Sequence, residues 1–383
     1  MNVLIIDPRT GIGGDMLAGA LISLGVNVSR AIQILEEFGE IHIKRLPEGI
    51  KIETVPKLDH LTMDEALEII EKSCERLNIK GVFRDFALKA IKILFEAEEN
   101  AHKTFNIGTL AHLHEASDVI IDTILVAFSL QYINPSEIYC LYPVYYGGGT
   151  VRFSHGVFEA PAPATRYIIR KYNILVEKGP VATELLTPTG AALLAALDPL
   201  YVHRKDCRKN FEIWATGRGL GTKELPIPNV LSVYLARKRE GIFLEKIVEL
   251  ETNIDDVSPE IIGDIFRDIP EALDIHVIPI ICKKNRPGYL LRIWCYEEDE
   301  KTIVEKLFKL IGTLGIRRYV VERYVKPRWV KVKKIKIGDK EFRIRFKNSK
   351  PEHEDLVKIA HETGLSVLEL ERMILSGDIE VLE

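Results

Sequence analysis

Asn2-Val3-Leu4-Ile5-Ile6-Asp7-Pro8-Arg9-Thr10-Gly11-Ile12-Gly13-Gly14-Asp15 opens with an apolar run, bends through a glycine-rich stretch and ends on an acid. Residues 2–6 read as a buried strand, 7–14 as a loop and 15–24 as a helix closed by Gly25. A fully apolar strand feeding directly into a helix points to an α/β layer for the first part of the chain. The bend exposes backbone N–H groups at a helix start, an arrangement that suits an anion or serves as a plain tight turn. It lacks the Gly-Lys-Ser/Thr ending of a Walker loop. Asp15, at the helix start, reads as a cap or a metal ligand.

Working outward, residues 41–46 and 50–55 read as a hairpin through Pro47-Glu48-Gly49. Thr62-x-x-Glu65 is a capping box that opens a helix to about residue 77. A further helix covers about 84–102. Residues 138–146 read as a strand ending in Gly147-Gly148-Gly149, and 150–165, rich in Pro, Gly and Ala, read as a loop. A helix opened by Pro163 or Thr165 follows to residue 172, and another at 188–197, preceded by Thr187, a cap or a phosphate-binding hydroxyl. Residues 230–236 form a strand. The charged stretch Arg237-Lys238-Arg239-Glu240-Gly241 is the expected boundary between a domain at 1–240 and a domain at 241–383.

Beyond that boundary the order is strand (245–253), helix (259–269), strand (274–283), strand (289–296), helix (299–311), strand (317–324). This is the βαββαβ order of a ferredoxin-like unit. A basic hairpin at 329–347 and two short helices at 352–363 and 367–376 complete the chain. The expected fold class is α+β (mixed α/β): an N-terminal α/β domain followed by a smaller ferredoxin-like C-terminal domain with an added hairpin and helices.

The 383 residues suit two domains, and a formal net charge of −4 argues against a polyanion-binding surface, so no nucleic acid partner is expected. Five cysteines, none in a C-x-x-C pair, point to a reducing, cytoplasmic setting. No uninterrupted apolar run looks long enough to span a bilayer, so no membrane association is expected.

The densest chemistry lies in His112-Leu113-His114-Glu115-Ala116-Ser117-Asp118, running on to Asp122 inside Val119-Ile120-Ile121-Asp122-Thr123-Ile124-Leu125. With a helix from about residue 114, Glu115, Asp118 and Asp122 fall at i, i+3 and i+7 on one face. A carboxylate among aliphatics is costly unless a cation meets it. Imidazoles with carboxylates suit a borderline divalent ion. His155, in the small-residue stretch before Ala160-Pro161-Ala162-Pro163-Ala164-Thr165, reads as a polar group in a pocket wall or part of a rigid connector. In the second half, Asp255 and Asp256 sit beyond the capping need that Ser258 and Pro259 satisfy. Paired acids at such a turn suit Mg²⁺ or Mn²⁺ carrying a triphosphate, or a solvated turn. Lys283-Lys284-Asn285-Arg286-Pro287-Gly288 is a cationic tip able to neutralise phosphates. Lys350-Pro351-Glu352-His353-Glu354-Asp355 is a further charged cluster at a helix start.

Read together, these motifs resemble the nickel insertion proteins of nickel-pincer cofactor synthesis, the LarC family. The resemblance is carried by Gly11-Ile12-Gly13-Gly14-Asp15-Met16, His112-Leu113-His114-Glu115, the 160–165 stretch and Glu184-Leu185-Leu186-Thr187-Pro188-Thr189-Gly190-Ala191-Ala192. In the second half it is carried by Glu251-Thr252-Asn253-Ile254-Asp255-Asp256, the 283–288 tip, Leu314-Gly315-Ile316-Arg317 and the 350–355 cluster. The match runs in order along nearly the whole chain. Many family members carry a histidine-rich stretch ahead of the H-x-H-E motif; here Asn106-Ile107-Gly108-Thr109 stands near that place. The segment after Glu115 is also shorter than in many relatives.

The resemblance implies an enzyme, a CTP-dependent nickel insertase of the lyase class that places Ni²⁺, as substrate, into pyridinium bis-thiocarboxylic acid mononucleotide. CTP is consumed to CMP and diphosphate with Mg²⁺ or Mn²⁺. The family's C-terminal half binds CTP and self-associates, so a homo-oligomer is expected, and an apo-racemase is the implied acceptor of the product. On this reading His112, His114, Glu115, Asp118, Asp122 and Asp15 hold nickel, and Asp118, Asp122 or His155 accepts the ring proton. Asp255, Asp256, Lys283, Lys284, Arg286, Arg317, Lys350 and Glu352 serve CTP and its divalent ion. Two other readings compete: a non-catalytic nickel carrier, which needs no nucleotide site, and a Mg/Mn-dependent nucleotidyltransferase, which needs no histidines.

Overall fold

The computed structural model describes residues 2–105, 113–153, 156–327, 329–338, 340–347 and 350–382. Its contacts divide the chain into two units, residues 1–239 with 328–383, and residues 240–327. The chain is mixed α/β, as its element order implied.

The first unit begins with β1 (Val3–Asp7), α1 (Gly14–Ile22) and α2 (Ser29–Leu35). The hairpin β2 (Gly39–Leu46) and β3 (Gly49–Pro56) follows, then α3 (Met63–Leu77), α4 (Val82–Phe105) and α5 (Ala116–Ile133). Next come β4 (Glu137–Tyr142), α6 (Pro163–Lys171), α7 (Pro188–Leu197), β5 (Leu200–His203), β6 (Phe211–Leu220) and β7 (Val230–Lys238). They form a mixed seven-stranded sheet in the order β5-β4-β1-β7-β6-β3-β2. β1 runs parallel to β4 and antiparallel to β7. Alternate residues of β1 serve two cores. Leu4 and Ile6 face the helices, while Val3 and Ile5 join Tyr139, Phe211 and Ala236 on the opposite face.

The capping box is formed: Thr62 accepts from the Glu65 N–H, and Glu65 accepts from the Thr62 N–H. α5 is the central helix of this unit. By length and apolarity it could cross a membrane, yet most of it is buried among the other helices and the sheet. Ser117 pins its first turn, accepting from the Lys57 and Leu58 N–H groups at 3.0 and 2.9 Å. The loop expected at 150–165 contains two paired strands, Thr150–Phe153 antiparallel to Gly156–Glu159. The strand expected at 138–146 is interrupted at Pro143 and resumes at Val144–Tyr145, which pairs with Val176–Glu177.

The second unit carries β8 (Phe243–Ile254), α8 (Pro259–Asp268), β9 (Asp274–Ile281), β10 (Pro287–Cys295), α9 (Glu297–Ile311) and β11 (Arg317–Val325). Its antiparallel sheet has the order β9-β10-β8-β11, the ferredoxin-like arrangement. Val248, Leu250, Ile254, Leu291 and Ile293 face the two helices. Glu249 and Glu251 lie on the opposite face by alternation.

The remaining segment forms the hairpin β12 (Val330–Ile337) and β13 (Lys340–Lys347), then α10 (His353–Thr363) and α11 (Val367–Ser376). By contacts it sorts with the first unit, where sequence order had placed it with the second. The reason is aromatic: Trp329 packs edge-on against Phe211 with ring centroids 5.3 Å apart, and the Arg345 guanidinium lies 4.8 Å from the Tyr142 ring centre.

Candidate metal centre and acidic turn

The first turn of α1 and the outer turns of α5 bring three aspartates together. Asp122 is 5% exposed. Its carboxylate lies against the backbone of Gly14, with Asp122 Cγ only 3.0 Å from where a Cβ on that residue would stand. No side chain larger than hydrogen fits at position 14 while Asp122 stays in place. Asp15 Oδ1 accepts from the Met16 N–H at 2.8 Å, so the carboxylates of Asp15 and Asp122 both meet the N-terminal end of α1. Asp118 stands one turn before Asp122 on α5 and takes a hydrogen bond from Thr54.

For all three, burial outweighs the groups that would favour the charged form. Burial, with Asp15 and Asp118 nearby, drives the Asp122 carboxyl well above the usual carboxylate range. Burial, with Glu115 and Asp15 nearby, pushes Asp118 up to about 6. Burial raises Asp15 too, against its backbone hydrogen bonds and the ammonium groups of Lys223 and Lys51. Among the described residues Asp118 Oδ1 and Asp122 Oδ1 are buried without a hydrogen-bond partner. Such groups are rare in folded proteins and call for a cation or proton. The aspartates perturb one another without meeting at a point. Among the described residues no three His, Cys, Asp or Glu side chains are close enough to ligate one ion as they stand.

Glu115 takes the cap position of α5 with a left-handed backbone (φ 57°) and is exposed. That places it at the mouth of the cluster rather than within it. His112 and His155 lie outside the described residues. His114 is placed only by its backbone, in the strand Leu113–His114 paired with His60–Leu61. Thr187 resolves toward the capping alternative: it accepts from the Gly190 N–H at 3.1 Å and donates to the Ile12 carbonyl at 3.3 Å.

In the second unit the acidic turn and the basic tip come together, with Arg286 3.8 Å from Asp255. Asp256, Lys283 and Lys284 are exposed around them. Ser258 occupies the cap position of α8 without a side-chain bond to its N–H groups. Arg317 is held on the sheet, donating to Glu251 at 2.7 Å and to Asn253 at 2.6 Å. Arg292 donates to the other oxygen of Glu251 at 2.8 Å. Burial alone would raise Glu251, but the two guanidiniums outweigh it and hold the carboxyl below its ordinary value. Lys350 and Glu352 belong to the first unit, where Glu352 caps α10 and pairs with Lys347 at 2.5 Å.

Sequence reading missed Glu184 as a site residue. It is 7% exposed and accepts from the Ala162 N–H at 3.3 Å. The signal was a lone acid between Thr183 and the apolar Leu185-Leu186, the same kind of signal that singled out Asp122.

Comparison with known proteins identifies the family of the chain. A family model described as nickel insertion protein matches residues 4–371. A protein of Clostridium kluyveri named pyridinium-3,5-bisthiocarboxylic acid mononucleotide nickel insertion protein is 31% identical, over 99% of this chain and 100% of its own. The protein of the same name from Clostridium acetobutylicum is 30% identical over the same shares. Among solved structures, LarC2, the C-terminal domain of a cyclometallase involved in synthesis of the nickel-pincer cofactor of lactate racemase, aligns with 35% of this chain and 99% of its own. The identity is 16% and the TM-score 0.31. The whole-length match in sequence places this chain in the nickel insertion protein family.

Proposed function

We propose that the chain is a CTP-dependent nickel insertase that metallates pyridinium-3,5-bisthiocarboxylic acid mononucleotide, with the nickel seat at Asp15, Asp118 and Asp122. The observation that carries the seat is Asp122, a buried carboxylate whose Oδ1 has no partner among the described residues. Oxygen ligands of this kind hold Ni²⁺ less tightly than thiolates do, so incoming thiocarboxylate sulfurs can displace them. The full-length relatives named for this substrate support the choice of acceptor.

The residue set of the second unit fits a divalent ion on a triphosphate. Asp255 and Asp256 supply hard oxygen ligands of the type Mg²⁺ or Mn²⁺ takes. Lys283, Lys284 and Arg286 supply the balancing positive charge beside them. When bound, CTP would supply an α-phosphorus with diphosphate as its leaving group, for activation or for driving a conformational step. Arg317, immobilised by Glu251 and Asn253, presents a fixed guanidinium edge on the same unit.

The test is incubation of the full chain with the nickel-free mononucleotide, Ni²⁺, Mn²⁺ and each of the four nucleoside triphosphates in turn. Metallated product with CTP alone supports the proposal. Nickel binding with no product under any nucleotide makes the chain a carrier and overturns the insertase reading.

A further inference from the structure

The segment that carries Glu184 is clamped on both sides by backbone. The Ile12 N–H donates to the Leu185 carbonyl at 3.0 Å, and the Leu185 N–H donates to the Tyr146 carbonyl at 3.0 Å. The Gly148 N–H reaches the Thr183 carbonyl at 3.1 Å. Two glycines with positive φ allow this approach, Gly11 at +87° and Gly147 at +84°. A Cβ on the first would collide with the Leu185 carbonyl, and one on the second with the Thr183 carbonyl. The chain thus holds one acidic residue between two tight turns that require glycine.

The Glu184 carboxylate is 7% exposed, has one hydrogen bond from the Ala162 N–H, and makes no ion pair among the described residues. Its segment also shares the Gly11–Gly14 turn with the proposed nickel seat. The turn at Gly11–Gly14 binds the Glu184 segment through Ile12 and receives Asp122 against Gly14. The Lys223 ammonium is near enough to act on both Asp15 and Glu184. Burial raises the Glu184 carboxyl above its ordinary value, against Lys223 and the Ala162 N–H. A desolvated carboxylate of this kind is a stronger base than one in water.

We propose that Glu184 is the proton acceptor of cyclometallation, taking the hydrogen of the ring carbon that lies between the two thiocarboxylate-bearing carbons. This deepens the insertase reading and rests on it. Nickel–carbon bond formation requires that ring C–H bond to break. Its electron pair becomes the nickel–carbon bond, nickel remains Ni(II), and the proton goes to a Glu184 oxygen and then to solvent. Aspartates that grip a dication lose most of their basicity, so an acceptor off the metal but beside it is needed. Glu184 lies outside the proposed ligand set, on a segment bound to the turn that receives Asp122.

The test uses the full chain carrying Glu184→Gln or Glu184→Asp, with nickel affinity measured without substrate and metallation rate measured with CTP. Ring-deuterated substrate is run in parallel. Glu184→Gln should bind nickel within about twofold of the parent while losing on the order of 100-fold or more in rate, the usual weight of a general base. Its deuterium isotope effect should rise, since C–H cleavage becomes limiting, and Glu184→Asp should recover part of the rate. Unchanged rate in Glu184→Gln overturns the proposal, as does rate loss accompanied by loss of nickel or by an unaltered isotope effect. Should Glu184→Gln fail to fold, Glu184→Asp decides alone: slower metallation with nickel binding intact supports it, and the parent rate overturns it. If the parent chain makes no product with any nucleotide, the insertase reading itself has failed and this inference goes with it.

Discussion

The two units treat buried carboxylates in opposite ways. In the second unit Glu251 is 8% exposed, yet each oxygen receives a guanidinium, from Arg292 and from Arg317. Its charge is paired within the fold. In the first unit Asp122 is about equally buried, but its neighbours are Asp118 and Asp15, and its Oδ1 has no partner among the described residues. A fold that pairs its own charges is rigid and self-sufficient there. A fold that leaves them unpaired is held short of its best energy until a cation arrives.

The largest effect that would break this comparison is at the unpaired site. Asp122→Asn should weaken nickel binding by about 100-fold or more, beyond what loss of a supporting group costs. It should not lower, and at pH 8 should raise, the melting temperature of the metal-free chain, because a repelled carboxylate has been removed. Calorimetric titration with Ni²⁺ and a thermal melt check both halves.

The mirror experiment is Glu251→Ala. It should leave nickel binding unchanged and destabilise the second unit by about 1–3 kcal/mol, the range for losing charged hydrogen bonds. Denaturant titration followed by hydrogen exchange in β8 measures it. Equal stability losses from Glu251→Ala and Asp122→Asn would remove the contrast.

The two sites also differ in the sign of their pH dependence. The aspartate carboxyls are raised in the folded chain, with Asp118 at about 6. The fold therefore holds protons that the unfolded chain releases near pH 4. For Asp118 the stability this protonation contributes is full below the ordinary carboxylate value and is lost as pH rises through about 6. Glu251 is lowered, so its contribution is present above the ordinary value and is lost as pH falls through the folded one. Metal-free protein moved from pH 7.5 to pH 5.5 should gain hydrogen-exchange protection in α5 and not in β8. Nickel added at pH 7.5 should restore the protection in α5.

The smallest predicted effect concerns the brace beside the site. Thr187→Ala removes the α7 cap and the bond to the Ile12 carbonyl. It should cost about 1 kcal/mol, with nickel affinity nearly unchanged. A large loss of affinity would mean that the Thr187 hydroxyl belongs to the site.

Local patterns were legible in the chain, and long-range meetings were not. The capping box at Thr62, the helix after Glu115 and the ferredoxin-like order follow from spacing between near neighbours. Asp118 and Asp122 stood out because acids in aliphatic runs need a reason. Asp15 was visible as an acid at a helix start, but its meeting with Asp122 depends on how α1 packs on α5. Glu184 escaped because what gives it meaning, the clamp at Ile12, Tyr146 and Ala162, comes from three distant segments. The segment from Trp329 onward was assigned by order along the chain, whereas its aromatic contacts return it to Tyr139 and Phe211.

The central claim is that an ion is gripped where the carboxylates are unpaired. A crystal of the full chain grown with Ni²⁺, with anomalous scattering recorded on both sides of the nickel edge, tests it most directly. One dominant peak enclosed by Asp15, Asp118 and Asp122, lost in Asp122→Asn, is the expected result. A dominant peak away from these three residues, unaffected by that substitution, would contradict it.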